Sequence, residues 1–238
     1  MQRLFAFFNF NLDRASSRLL RLFISIDLLL IIAHIFVLFI NPAVFLDSIW
    51  CLEQDGGVGE IFQYAKELWI VLLFTLLAVR RFQLNHLTWA VLFGYLFVDD
   101  ALQLHEKAGE MVARASTSET IAGLRAEDVG ELTVYIVFGL LAVLLISATL
   151  LRSNAETKTV CLRFVIIMGL LFATAVLADL VHSRISNICD AFGIPEGIKI
   201  VLYYGLGIVE DGGELLVMSL AGAYAFDVYR KATRDITY

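Results

Sequence analysis

The stretch FVDDALQLHE (97–106) follows an apolar run and holds Asp99, Asp100, His105 and Glu106. A second stretch, IVEDGGELL (208–216), repeats its opening with Glu210, Asp211 and Glu214. Carboxylates beside imidazole suit Zn, Mn or Fe, whereas carboxylates alone hold cations or carry protons. Asp179 and His182 add a further pair, three residues apart and therefore on one helix face. His34, Glu60, Gln63, Tyr64 and Glu67 complete the polar set within or beside apolar runs.

An acid at mid-bilayer costs at least about 2.5–3.5 kcal/mol on insertion scales, so these groups must turn inward, away from lipid. The bases available near them are Lys66, Lys107, Arg184 and Lys199, fewer than the acids. The surplus negative charge is left for a divalent metal, for protons or for a cationic substrate.

The elements that must position these residues are long apolar helices. Of the 238 residues 59% are hydrophobic and only two are proline. A soluble domain is about 45–50% apolar. The mean hydropathy is +0.78. The fold expected is all-α, a polytopic membrane helical bundle forming a single integral membrane domain. Six transmembrane helices are expected, over 22–40, 61–80, 86–106, 131–151, 161–183 and 198–226, the first five near the roughly 20 residues that span a bilayer and the sixth longer. The first is expected to be an uncleaved anchor, because no small-x-small site follows it. Residues 107–130 form a long polar outer loop, with a short helix expected around SETIAGLRAED. RLFAFFNF, at the start, reads as an amphipathic surface segment. There is no separate soluble domain, low-complexity tract or nucleic-acid motif. The surroundings expected are therefore lipid, with no nucleic acid and with protein partners left open.

Lys and Arg set the orientation. Arg3, Arg14, Arg18 and Arg21, then Arg80 and Arg81, then Arg152, Lys158 and Arg163, then Arg230, Lys231 and Arg234 fall on one side, twelve of the 18. Positive-inside bias places that side, and both termini, in the cytoplasm. An even number of spans agrees. Cys51 and Cys189 then fall outside, where an oxidising compartment would permit a disulfide between them. Trp50, Trp69 and Trp89 fit interfacial anchoring.

At about 100° per residue, Asp99, Gln103, Glu106 and Glu110 form one stripe. His105 points away from it, and joins it only if the helix unwinds or if it faces another helix. Glu210, Asp211 and Glu214 share an arc, with Gly205, Gly207, Gly212 and Gly213 close by. Those glycines permit close helix approach or local unwinding.

Three function classes follow. In a metal-dependent membrane hydrolase, Asp99, Asp100, His105, His182, Glu210 and Asp211 are the ligands, and Glu106 or Glu214 is the base. The ion activates water toward a lipid amide or ester. His34, Glu60, Gln63, Tyr64, Glu67 and Asp179 line the same outward-open cavity. In a cation or proton-coupled transporter, spans one to three and four to six form inverted repeats carrying the matching VDD and VED stretches. A non-catalytic subunit or pH sensor is the third class. The hydrolase is preferred because histidines accompany the acids and the polar groups favour one side.

EIFQYAKELWIVLL, FVDDALQLHEKAGE and VEDGGELL together resemble a family of uncharacterised bacterial multi-spanning membrane proteins. The matching positions are Glu60, Gln63, Tyr64, Asp99, Asp100, His105, Glu106, Glu210, Asp211 and Glu214. The resemblance covers most of the chain from span two onward. It implies a bacterial inner-membrane setting and supplies no mechanism. The mix of ligands also loosely resembles alkaline-ceramidase-type membrane hydrolases, whose motif pattern is not matched.

Overall fold

The computed structural model describes residues 10–40, 48–81, 83–118, 120–121 and 124–234. Most of RLFAFFNF and residues 41–47 therefore lie outside the described residues. The described chain is helical apart from one small hairpin. The helices are α1 (Arg14–Ile40), α2 (Val58–Arg81), α3 (Leu84–Leu102), α4 (Leu104–Ala115) and α5 (Ala126–Arg152). They continue with α6 (Ala155–His182), α7 (Ile185–Ala191) and α8 (Glu196–Arg234). The chain forms two compact units, Met1–Lys66 with Leu162–Tyr238, and Glu67–Cys161.

Four helices, α1, α2, α5 and α6, are long and apolar enough to cross a membrane, and α3 with α4 makes a fifth if that bent pair is one span. The sixth expected span falls within α8, which is not in this set. Its central acids and its small residues hold its apolar content down. Large apolar side chains stand exposed along the candidate spans, including Phe36 and Phe39 on α1 and Ile136, Leu140 and Leu144 on α5. Such a surface suits hydrocarbon far better than water.

In the first unit, Leu30 of α1, Leu52 of the following loop and Leu215 of α8 form a buried apolar cluster, with Ile26, Ile31, Val58 and Phe62 packed on it. Glycines bring α8 close to its neighbours. A Cβ on Gly212 would lie 3.2 Å from Ile31, and one on Gly213 only 2.6 Å from Thr174 of α6. At that level α6 widens into a π-helical segment, Ala173–Ala178. The Thr174 hydroxyl donates to the carbonyls of Leu170 and Leu171, satisfying backbone that the widening frees. All three cysteines, Cys51 and Cys189 included, are buried free thiols, so the expected bridge is absent.

The two ends of this unit are tied together. Asp13 caps α1, its Oδ1 accepting from the N–H groups of Ala15 and Ser16. Its own N–H donates to Asp227 at 2.9 Å, and its Oδ2 pairs with Arg230 at 3.3 Å and Arg234 at 3.5 Å. These bonds hold the Asp13 carboxyl below its ordinary value, those of the helix N-terminus most of all.

In the second unit, Phe74, Trp89, Leu92 and Phe93 are fully buried. Trp89 donates to Asn85 at 3.1 Å, and the hydroxyls of Thr88 and Thr149 meet at 2.7 Å. The stretch 107–130 is mostly structured. It holds most of α4, then a hairpin in which Thr120 pairs with Arg125 and Ile121 with Leu124, then the start of α5. The helix expected around SETIAGLRAED is thus an antiparallel pair. β-Branched Thr120 and Ile121 favour extended backbone, and α5 starts only at Ala126. There Asp128 reaches back to the Arg125 N–H at 3.3 Å and guanidinium at 2.6 Å. The chains of α4 and α5 touch backbone to backbone. A Cβ on Gly130 would sit 2.5 Å from the Ala108 carbonyl and 2.7 Å from the Gly109 Cα.

Candidate functional site

The second unit positions Asp99, Asp100 and His105 at a helix break. α3 stops at Leu102, Gln103 takes left-handed φ 51° and ψ 50°, and α4 leaves at 56° to α3. A break in a helix frees backbone groups that need partners. The Gln103 N–H returns to the carbonyls of Asp99 and Asp100, and the Lys107 ammonium donates to the Leu102 carbonyl at 2.6 Å. On the other side, Asp99 Oδ1 accepts the His105 backbone N–H at 3.1 Å and so caps α4. The unwinding that His105 needs to reach the acids is therefore present.

His105 Nδ1 lies 3.1 Å from Asp99 Oδ2, its Nε2 lies 3.8 Å from Glu106 Oε1, and its ring packs on Tyr135 of α5 at 5.4 Å between centroids. One ligand atom from each of Asp99, Asp100 and His105 falls within 4.8 Å of the other two. Ligands around a tetrahedral ion sit about 3.4 Å apart at metal–ligand lengths near 2.1 Å. Small side-chain rotations would close the difference. Two carboxylates and an imidazole form a donor set that fits Zn, Mn or Fe. The carbonyl end of α3 adds partial negative charge favourable to a cation.

His182, Glu210, Asp211 and Glu214 belong to the first unit and form a separate group there. His182 stands at the end of α6, just past the π segment, with Nδ1 2.8 Å from Glu210 Oε2 and its ring 4.5 Å from that of Tyr203. Glu53, from the loop after α1, joins them. A Cβ on Gly207 would lie 2.5 Å from Glu53 Oε1 and 3.2 Å from His182 Cε1, so both side chains occupy the space that this glycine leaves. Burial raises the Glu53 carboxyl above its ordinary value, His182 opposes this, and Glu210 adds to it. Asp211 lies in the field of Glu210, Glu214, Glu53 and Asp179. His182 Nε2, Glu53 Oε1 and Asp211 Oδ2 are buried without a hydrogen-bond partner among the described residues. Burial also pushes the Cys51 thiol up to about 11, so it is inert near neutral pH.

The remaining expected residues have other duties. Glu214 accepts from Gln63 at 3.0 Å. Glu60 accepts from the Tyr64 hydroxyl and from the Gly56 N–H, fastening the loop to the start of α2. His34 is fully buried, and its Nδ1 accepts the Leu52 N–H at 3.0 Å. That bond fixes the proton on Nε2 and ties α1 to the loop. Glu67 is buried on α2.

Sequence reasoning passed over Asp27, Glu53 and Tyr135. Asp27, the lone acid in α1, is fully buried against Lys66. That isolation was its signal. Glu53 looked like any acid of a polar loop.

The family profile described as Domain of unknown function (DUF8692) matches residues 20–228. The chain belongs to the DUF8692 family. The match runs across both units and encloses each polar group from Asp27 to Asp227, leaving Asp13, Arg230 and Arg234 of the terminal tie outside it. No curated protein and no solved structure matches the chain. The family assignment agrees with the resemblance seen in EIFQYAKELWIVLL, FVDDALQLHEKAGE and VEDGGELL, and assigns no chemistry.

Proposed function

We propose that this DUF8692 protein is a multi-span membrane protein that binds a divalent metal ion at Asp99, Asp100 and His105. The observation that carries this is the break at Gln103, which turns His105 back onto Asp99 and brings three ligand atoms within 4.8 Å. A bound ion supplies Lewis-acid polarisation of an ester or amide carbonyl. Asp99 Oδ1 also holds the His105 backbone N–H at 3.1 Å, which keeps the imidazole beside the two carboxylates. Glu106, 3.8 Å from the ring, is the base in this reading and accepts a proton from water. The reaction inferred is hydrolysis of a lipid amide or ester. The Lys and Arg bias supports an orientation with both termini in the cytoplasm, and the resemblance of the three acidic stretches supports a bacterial inner membrane.

The test is metal content. Full-length protein is purified in mild detergent without chelators or a histidine tag and measured by elemental mass spectrometry. Near-stoichiometric Zn, Mn or Fe is expected in the wild type, retained in Asp211→Ala and lost in Asp100→Ala/His105→Gln. A wild type without metal, or a double variant that keeps it, overturns the reading.

A cation or proton-coupled transporter is the second reading. It is supported by the unpartnered buried atoms of His182, Glu53 and Asp211. Ion flux into vesicles, abolished by Asp211→Asn and unaccompanied by lipid turnover, would favour it over hydrolysis.

A further inference from the structure

α1 opens with arginines and has no acid in its first turn. Arg14, Arg18 and Arg21, spaced four and three apart, share one face of its first two turns, and all three are exposed. With Leu12 and Ser17 they line an open surface recess of about 400 Å³. The nearest acid in sequence, Asp13, is already engaged by the N-terminal amides of α1 and by Arg230 and Arg234. Arg18 Nε donates to the Arg14 carbonyl and Arg21 Nε to the Ser17 carbonyl, both at 3.3 Å. Those bonds lay two guanidinium groups along the helix and leave their terminal nitrogens for an outside acceptor. Cations are disfavoured at the positive end of a helix. Arg14 alone lies in that first turn, and Arg18 and Arg21 add like charge on the same face, which a bound anion would relieve.

The same face continues into lipid-like surface. Leu28, Ile32 and Phe36 follow Arg21 at helical spacing and are 47%, 60% and 64% exposed. A row of guanidinium groups that runs directly into an exposed apolar stripe matches an amphiphile better than a free anion. We propose that Arg14, Arg18 and Arg21 bind the phosphate of an anionic phospholipid whose acyl chain lies along Leu28, Ile32 and Phe36. The proposal rests on the membrane-spanning reading and not on the metal.

Full-length protein is placed in nanodiscs of phosphatidylcholine alone, or of phosphatidylcholine and phosphatidylglycerol in equal parts. Lipid retained after extraction is counted by native mass spectrometry. Wild type is expected to retain phosphatidylglycerol selectively. At roughly 1 kcal/mol for each basic residue, Arg14→Gln/Arg18→Gln/Arg21→Gln loses on the order of 100-fold in affinity. Arg152→Gln/Lys158→Gln, removing positive charge elsewhere, keeps the selectivity. Arg14→Lys/Arg18→Lys/Arg21→Lys, which preserves charge if the glutamine variant fails to fold, keeps part of it. No selectivity in the wild type, or equal loss in the control, overturns the proposal. So does inorganic phosphate displacing the lipid at comparable concentration, which would mark a soluble-anion site. A wild type that enters phosphatidylcholine nanodiscs yet shows no selectivity defeats the lipid site alone. A chain that enters no bilayer defeats the membrane reading itself.

Discussion

Lys66 Nζ lies 3.0 Å from Asp27 Oδ1, and both side chains are shut away from solvent. The ammonium also donates to the Leu215 carbonyl at 2.7 Å and to the Ser219 hydroxyl at 3.2 Å, so its three protons are all used. Ser219 in turn donates to Asp27 Oδ2 at 2.5 Å. The ring of Phe62 lies 4.6 Å from the ammonium. One buried ion pair thus joins α1, α2 and α8.

Removing one partner leaves the other charge stranded. Lys66→Met is expected to destabilise the protein by about 3–5 kcal/mol, whereas Asp27→Leu/Lys66→Met recovers most of that loss. Thermal unfolding in detergent checks both. A double variant no more stable than Lys66→Met would show that the pair is not an isolated electrostatic unit.

Gln103 carries a side chain at a backbone angle that favours glycine. Gln103→Gly is expected to raise stability by about 0.5–1 kcal/mol and to leave metal content unchanged. Gln103→Val, whose branched side chain tolerates that angle poorly, is expected to lower stability and to loosen His105 from Asp99. Metal bound per chain should fall in step. Full metal occupancy in the valine variant would contradict a ligand set assembled by this break.

Glu53 gives a pH dependence with a definite sign. Burial raises its carboxyl above the ordinary 4.5, so the folded chain keeps a proton that the unfolded chain releases. Stability contributed by that protonation falls as pH rises from 4.5 through the higher folded value. Glu53→Gln cannot ionise. Its unfolding midpoint should decline less across that window and exceed the wild type's above it. Identical pH profiles for the two proteins would place Glu53 in water.

What the sequence disclosed was set by local rules, and what it hid depended on distant contacts. Apolar runs marked α1, α2, α5 and α6 directly. The spacing of Asp99 and His105 already required an unwound helix for them to meet, and the left-handed residue stands between them at Gln103. Asp27 and Ser219 are 192 positions apart, and nothing near Asp27 announces its partner. Glu53 acquires its setting only because Gly207 leaves room for it. The contacts of Glu60 are by contrast local, its carboxylate being held by Gly56 and Tyr64 within four residues. The hairpin at Thr120–Arg125 was obscured because its strands are only two residues long.

The 39-residue α8 runs from the acids to the terminal tie. From Glu210 to Arg230 it is a rod about 30 Å long at 1.5 Å per residue. Tilting such a rod by about 10° around Glu210 would sweep Arg230 through roughly 5 Å. That travel exceeds what the 3.3 Å contact with Asp13 can absorb. A tilt of that size would therefore have to release the far end of α8 while it rearranged the His182 group at the other.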